Sequence, residues 1–186
     1  LLGALLAAGF DAREIRDQVL TMLMAGHETT AKALGWTIYL LDRHPEAAGA
    51  PLSHLIKESM RLYPPVWLLS RTALVDDEVA GYRIPAGTLV CVSPYLLHRH
   101  PDLWIDPERF DPSRFAVEPP EFAYLPFSDG PRRCIGERLA LFEAELVLKT
   151  LRERVRIELD PSHPVEPEAL VTLRPRHGLL ATVTPR

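Results

Sequence analysis

The chain has 186 residues, 47% hydrophobic and 25% charged, a composition that suits an ordinary globular domain and excludes a chain disordered throughout. Its net charge of -4 argues against a general nucleic-acid binder, which carries a basic excess. No apolar run approaches the ~20 residues needed to cross a bilayer, so no membrane span is expected.

The opening ten residues, Leu1 to Phe10, are apolar but short and lack the basic start of a signal peptide, so they read as helix and loop. The chain does not begin with methionine and reads as part of a larger protein. Asp11-Ala-Arg-Glu14 forms a capping box and opens a helix over residues 11–41, about 45 Å long at 1.5 Å per residue. Ile15, Leu20, Met24, Trp36 and Leu40 fall on several sides of it, which predicts a central helix rather than a surface one. In its middle lies Ala25-Gly-His-Glu-Thr-Thr30. Taken alone, Ala25 and Gly26 read first as a site of close helix packing. A local opening of the helix is the other reading, because glycine weakens a helix and a threonine hydroxyl bonds back one turn. His27 reads as a packing or hydrogen-bonding residue.

A second helix, over residues 53–63, stops at Pro64 and Pro65. Glu58 and Arg61 share a face of it and can pair, although a bare Glu-x-x-Arg is common by chance. The apolar run Val66, Trp67, Leu68 and Leu69 follows, ending near Arg71. Most of the 18 prolines crowd the region after it, so residues 66–126 are expected to be short strands and irregular loop. Cys91 is expected in the core. His98 and His100 look like a metal pair but have no further ligand at metal-site spacing, which speaks against ligation. Two Pro-x-Arg-Phe segments place Arg109 and Arg114 downstream.

Phe127-Ser-Asp-Gly-Pro-Arg-Arg-Cys-Ile-Gly136 then surrounds one cysteine with glycine, proline and arginine immediately before a helical pattern over residues 137–153. Cys134 therefore sits on a loop at a helix N-terminus, where backbone N–H groups, the helix dipole, Arg132 and Arg133 favour a thiolate. Three readings are open: an ordinary buried cysteine, which the cysteine alone favours, a nucleophile, or a metal ligand. The helix after it carries a wide apolar face through Leu139, Ala140, Phe142, Ala144, Leu146, Val147 and Leu151. Residues 155–186 alternate as strands. If Cys134 holds a metal, Cys91 has no disulfide partner, which suits a reducing, cytoplasmic compartment.

The flanking residues decide between these readings. Phe127, Gly130, Arg132, Cys134 and Gly136 form Phe-x-x-Gly-x-Arg-x-Cys-x-Gly, which resembles the haem-binding signature of the cytochromes P450. The Ala25 to Thr30 segment, Glu58-x-x-Arg61 before Tyr-Pro-Pro, and Pro112-Ser-Arg114-Phe resemble the family's other motifs in the family's order. Together they cover nearly the whole chain and resemble the C-terminal portion of the soluble bacterial forms. The resemblance implies one partial domain over residues 1–186, mainly α with small β-sheets, its N-terminal half absent. It implies haem b with Cys134 as axial thiolate ligand to the iron. Phe127, Gly130, Arg132, Gly136, Arg71, Ala25 and Gly26 would contact the haem. Glu28 and Thr29 would be the acid and alcohol delivering protons to dioxygen. Glu58, Arg61 and Arg114 would form a structural lock, leaving Arg109 on the surface. Val66, Trp67, Leu68, Leu69 and Val171 would line the pocket of an apolar substrate.

The implied activity is a haem-thiolate monooxygenase that uses O2 and electrons from a ferredoxin or flavin reductase docked near Arg132, Arg133 and Arg138. A non-catalytic truncated remnant is the alternative. A peroxide-driven enzyme is a third reading, against which the intact acid and alcohol pair argues. The sequence departs from the family pattern where Pro45-Glu-Ala-Ala-Gly-Ala-Pro51 joins two helices that the family separates by a further helical stretch.

Overall fold

The computed structural model describes residues 2–186. A short helix α1, Leu2–Ala7, precedes the long α2, Ala12–Arg43. The box at its start forms: Asp11 accepts from the Arg13 and Glu14 amides at 2.8 Å, and Glu14 accepts from the Asp11 amide at 2.9 Å. A 3₁₀ turn, Pro45–Gly49, leads directly into α3, Leu52–Leu62. The Arg152 guanidinium donates to the Ala48 carbonyl and fixes that turn.

The middle region is strand and loop, as its prolines demand. Strands β1, Leu69–Thr72, and β4, Leu89–Val92, pair antiparallel with Arg71 opposite Val90. Between them β2, Asp77–Val79, and β3, Tyr82–Ile84, form a separate hairpin. A single helical turn α4, Pro94–Leu97, is capped by the Ser93 side chain. A 3₁₀ turn at Pro112–Ala116 carries Arg114. After the cysteine loop comes α5, Glu137–Arg154, and then β5, Val155–Leu159, β6, Pro167–Ala169, β7, Leu173–Pro175, and β8, Ala181–Pro185. These last four pair antiparallel as β5 with β8 and β6 with β7. The result is mainly α with four two-stranded sheets.

The core lies where the second half of α2 crosses α3 and α5. Ala33, Ile56, Met60, Ala144 and Leu148 interlock there, and Phe127 packs against them. Beside them Trp36 stacks on Tyr63 at 4.0 Å between ring centroids, nearly parallel. A second cluster, Leu40, Leu55, Leu62 and Phe110, closes the other side of α3.

Three expectations about burial are corrected. The first half of α2 is not central: its side chains are largely exposed, Met24 to 76% and His27 among them, only Ile15 and Val19 are half-buried, and full burial begins at Ala33. Cys91 is exposed rather than core, because β1 and β4 form a bare two-stranded ribbon with neither face covered. On α5 only Ala144 and Leu148 are buried, whereas Leu139, Phe142, Leu146 and Val147 are exposed. Periodicity showed which residues are apolar, not whether a neighbour covers them.

Candidate haem-thiolate site

The loop that bears Cys134 is held by its own backbone. Ser128 takes a left-handed φ of 62° and Gly130 one of 70°, a region that costs glycine nothing. That double reversal lets the Cys134 amide donate back to the Phe127 carbonyl at 2.9 Å, while the Arg133 amide donates to Gly130 at 3.0 Å. Cys134 is exposed and free of disulfide, which removes the reading of an ordinary buried cysteine. A Cβ placed on Gly136 would lie 3.9 Å from the Cys134 sulfur, so any side chain there would begin against it.

Arginines surround the loop in distinct states. The Arg71 guanidinium reaches from β1 and donates to the Ser128 hydroxyl at 3.0 Å, tying the strand to the loop. Arg133 makes a bidentate pair with Glu137 at 2.7 and 2.9 Å, so much of its charge is met. Arg132 and Arg138 are exposed and take part in no ion pair among the described residues.

Beneath the loop lies the lock. Glu58 and Arg61 are wholly buried and bonded twice, at 2.7 and 2.9 Å. Arg61 donates its remaining three N–H groups to the carbonyls of His98, Pro107 and Arg109 at 2.8, 2.7 and 3.0 Å, so all five donors are used. Glu58 also accepts from the Asp111 amide at 2.8 Å, and Arg114 approaches it at 3.4 Å. Of the two downstream arginines, Arg114 therefore meets the carboxylate, while Arg109 contributes only its carbonyl and exposes its side chain. A buried ion pair is tolerable only when its remaining donors and acceptors are satisfied; here those of Glu58 and Arg61 are, while the Arg114 Nε faces Glu58 without a hydrogen bond.

Sequence reasoning missed His98. Set aside as a metal ligand, it is fully buried, packed at a tilt against the Tyr124 ring with centroids 5.1 Å apart, and bonded through both nitrogens. Burial pushes its pKa down to about 4, against a smaller opposing effect of its bond to the Arg61 carbonyl. The signal was weak: a His in a polar His-Arg-His run gives no sign of burial. Burial also raises the pKa of Tyr124, whose hydroxyl donates to the Lys57 carbonyl at 2.8 Å.

On α2, Glu28 and Thr29 bond in different directions. The Glu28 carboxylate accepts from the Thr172 hydroxyl at 2.7 Å, and the Thr29 hydroxyl donates to the Ala25 carbonyl at 2.7 Å. A Cβ added to Gly26 would meet nothing within 4 Å, so no neighbour among the described residues requires the glycine for packing. The turn before β7 is strapped down by two tryptophans: Trp67 donates to the Leu170 carbonyl at 2.7 Å and Trp36 to that of Leu173 at 3.1 Å. Val66 to Leu69 and the residue 170 turn thus lie together. Leu68 is exposed and Val171 is 90% exposed.

These residues fit a haem. Among the described residues no cluster of three or more His, Cys, Asp and Glu is placed to cage a metal ion. A single exposed thiol with arginines beside it suits a metal that arrives within its own ligand frame, bearing carboxylates for the arginines to meet. The fold and the loop define a haem-thiolate protein. The sequence matches the family model described as Cytochrome P450 over residues 3–50 and 52–181, and the chain belongs to that family.

The chain is 38% identical to a putative cytochrome P450 132 of Mycobacterium tuberculosis over 208 residues, covering 96% of this chain and 45% of that protein. It is 38% identical to a cyclooctat-9-en-7-ol 5-monooxygenase of Streptomyces melanosporofaciens over 180 residues, covering 82% of this chain and 39% of that one. The crystal structure of the cytochrome P450DA heme domain superposes with a TM-score of 0.88 at 30% identity, covering 95% of this chain and 46% of that chain. The chain thus spans less than half the length of these relatives. The first alignment, at 208 positions, is longer than the chain itself, and the family match breaks at Pro51, in the short connection between α2 and α3.

Proposed function

We propose that this chain is the thiolate-bearing part of a monooxygenase acting on an apolar organic substrate. The exposed Cys134 thiol, set on a reversed loop anchored to a buried ion-pair lock, carries this reading. Haem b held by the Cys134 thiolate supplies reductive activation of O2 and insertion of one oxygen atom into the substrate, the electron-rich sulfur favouring O–O cleavage.

The chain's own residues divide the remaining work. Phe127 packs the loop onto the core, and Gly130 and Gly136 keep the backbone beside the sulfur bare. Arg71 and Arg132 offer N–H donors to the haem carboxylates. Ala25 and Gly26 leave the α2 wall thin. Glu28, held by Thr172, accepts and passes protons, and Thr29 keeps its hydroxyl oxygen open to a further donor while its proton engages Ala25. Val66, Trp67, Leu68, Leu69 and Val171 form part of an apolar substrate surface. In this reading residues 11–41 are the distal wall, 53–63 the lock helix, 66–126 the strands and loops beneath it, 127–136 the thiolate loop, 137–153 the proximal helix and 155–186 the strap.

Electrons come from a ferredoxin or flavin reductase. Arg138 carries the dock, Arg133 being committed to Glu137 and Arg132 to the haem carboxylates. Reversing the Arg138 charge lowers the reduction rate by such a partner; an unchanged rate removes the dock. Two free cysteines suit the cytoplasm, and no helix among the described residues is long and apolar enough to cross a membrane.

The test is the absorption spectrum of the 186-residue chain with haem added, reduced and exposed to carbon monoxide, beside Cys134→Ala. A red-shifted thiolate band that the variant loses supports the reading. The exposure of Val171 and of the first half of α2 favours one alternative, a remnant that binds haem weakly or not at all. Absence of the band, or a band that Cys134→Ala retains, would establish that alternative.

A further inference from the structure

His98 and Arg61 exchange hydrogen bonds. The Arg61 guanidinium donates to the His98 carbonyl at 2.8 Å, and the His98 ring meets the Arg61 carbonyl through Nδ1 at 3.2 Å. At the other edge of the ring the Leu125 amide donates to Nε2 at 2.8 Å. An amide donor requires a lone pair on Nε2, so the ring proton must sit on Nδ1 and point at Arg61. One neutral tautomer alone satisfies both contacts, and the protonated ring keeps only the Nδ1–H bond to Arg61, since its Nε2–H would face the Leu125 N–H.

Leu125 begins the path to the cysteine. Its carbonyl accepts from the Ser128 amide at 3.2 Å, and the Cys134 amide bonds back to Phe127 at 2.9 Å. We propose that His98 is the positioning residue that seats the Cys134 loop on the Glu58–Arg61–Arg114 lock, and that it does so only as a neutral imidazole carrying its proton on Nδ1. The seat rests on the reading of this loop as the thiolate loop only for its functional meaning; the contact itself needs no haem.

Burial and the two cations beside the ring oppose its protonation, and they outweigh the α3 carbonyls of Arg61 and Met60, which favour it. From α3 come the buried Arg61 cation and the Glu58 carboxylate, already saturated by Arg61, Arg114 and the Asp111 amide. Next in sequence Arg99 adds a second cation, itself met by Glu108 at 3.1 Å. From the loop the Tyr124 ring packs at a tilt, its hydroxyl committed to the Lys57 carbonyl. No free carboxylate faces the imidazole among the described residues, in keeping with burial holding its pKa down near 4. The seat is therefore stable at neutral pH and fails in acid.

The experiment uses the whole 186-residue chain without haem and reads two quantities. Nitrogen-15 shifts of the His98 ring give the tautomer, and amide hydrogen exchange, corrected for intrinsic pH dependence, gives the protection of Leu125 and Cys134. The wild-type chain should show the Nδ1–H form. Its Leu125 protection should drop about tenfold between pH 7 and pH 3, below the ring's pKa near 4, the scale of one lost hydrogen bond. His98→Phe, which keeps a ring against Tyr124 but loses both bonds, should lose that protection at every pH while the α3 amides stay protected. His98→Gln, whose side-chain oxygen accepts from the Leu125 amide and does not titrate, should restore protection and abolish its pH dependence.

An Nε2–H tautomer, or Leu125 protection unchanged with pH in the wild type, overturns the proposal even if every variant fails to fold. Neither result bears on whether Cys134 binds haem, which the carbon monoxide spectrum tests separately.

Discussion

The lock around Glu58 and the first half of α2 are built from the same chain under opposite rules. In the lock, all five donors of Arg61 and both oxygens of Glu58 are used, with partners on α3 and on the loop between His98 and Asp111 that joins α4 to the 3₁₀ turn at Pro112–Ala116. Along α2 before Glu28, apolar side chains such as Leu23 and Met24 stand in solvent, and polar bonds such as those of Arg16 and Thr21 are made to near neighbours on the helix. The lock is complete within these residues; the helix surface is not. Exposure of large apolar side chains on α2 and α5 therefore says little about stability, whereas disturbance of a few buried polar atoms says much.

That contrast can be broken most sharply at Glu58. Glu58→Ala leaves Arg61 buried with no counter-charge and should cost about 3–5 kcal/mol, read as a lowered midpoint in urea unfolding. A cost comparable to that of a surface substitution would mean that water enters the lock. Acid should have the next largest effect. Burial lowers the His98 pKa to about 4 from 6.5, so the unfolded chain takes up the proton first as pH falls. Stability present above pH 6.5 is then lost progressively toward pH 4, reaching about 3 kcal/mol for this one group. His98→Gln should flatten that part of the stability profile, and an equally steep profile in the variant would assign the loss to other groups.

The two downstream arginines give a smaller, paired test. Arg114→Ala removes a cation from a fully buried carboxylate and should cost about 1–3 kcal/mol, whereas Arg109→Ala, whose side chain is exposed, should stay within about 0.5 kcal/mol. Equal costs would remove Arg114 from the lock. The smallest effect belongs to the bare surfaces. Met24→Gln and Phe142→Gln should each change urea stability by less than about 0.5 kcal/mol and should raise solubility, measured as monomer remaining after centrifugation.

Much of this was legible from residues alone, because some physics is local. Asp11 and Glu14 lie three apart and find each other within one turn, and Pro64 and Pro65 stop α3 whatever surrounds it. The choice of Arg114 over Arg109 followed from the order of a motif, and the geometry agrees. What could not be read was anything decided by a distant neighbour. Cys91 alternates like a core strand residue, yet its ribbon is uncovered. His98 is buried because Arg61, 37 residues away, and Leu125, 27 away, close on both edges of one ring. The divergent bonds of Glu28 and Thr29 were equally hidden, since Thr172 lies 144 residues from Glu28.

The 3₁₀ turn at Pro45–Gly49 also sets an order of events in folding. It brings α2 and α3 together across fewer than ten residues, so their mutual packing closes a short loop at little entropic cost. The lock needs carbonyls up to 48 residues from Arg61, and Cys134 lies farther still along the chain. The α2–α3 hairpin should therefore gain protection first and the cysteine loop last. Pulse-labelled hydrogen exchange during refolding reads that order, and simultaneous protection of both would show that the long-range lock, not the short turn, nucleates the domain.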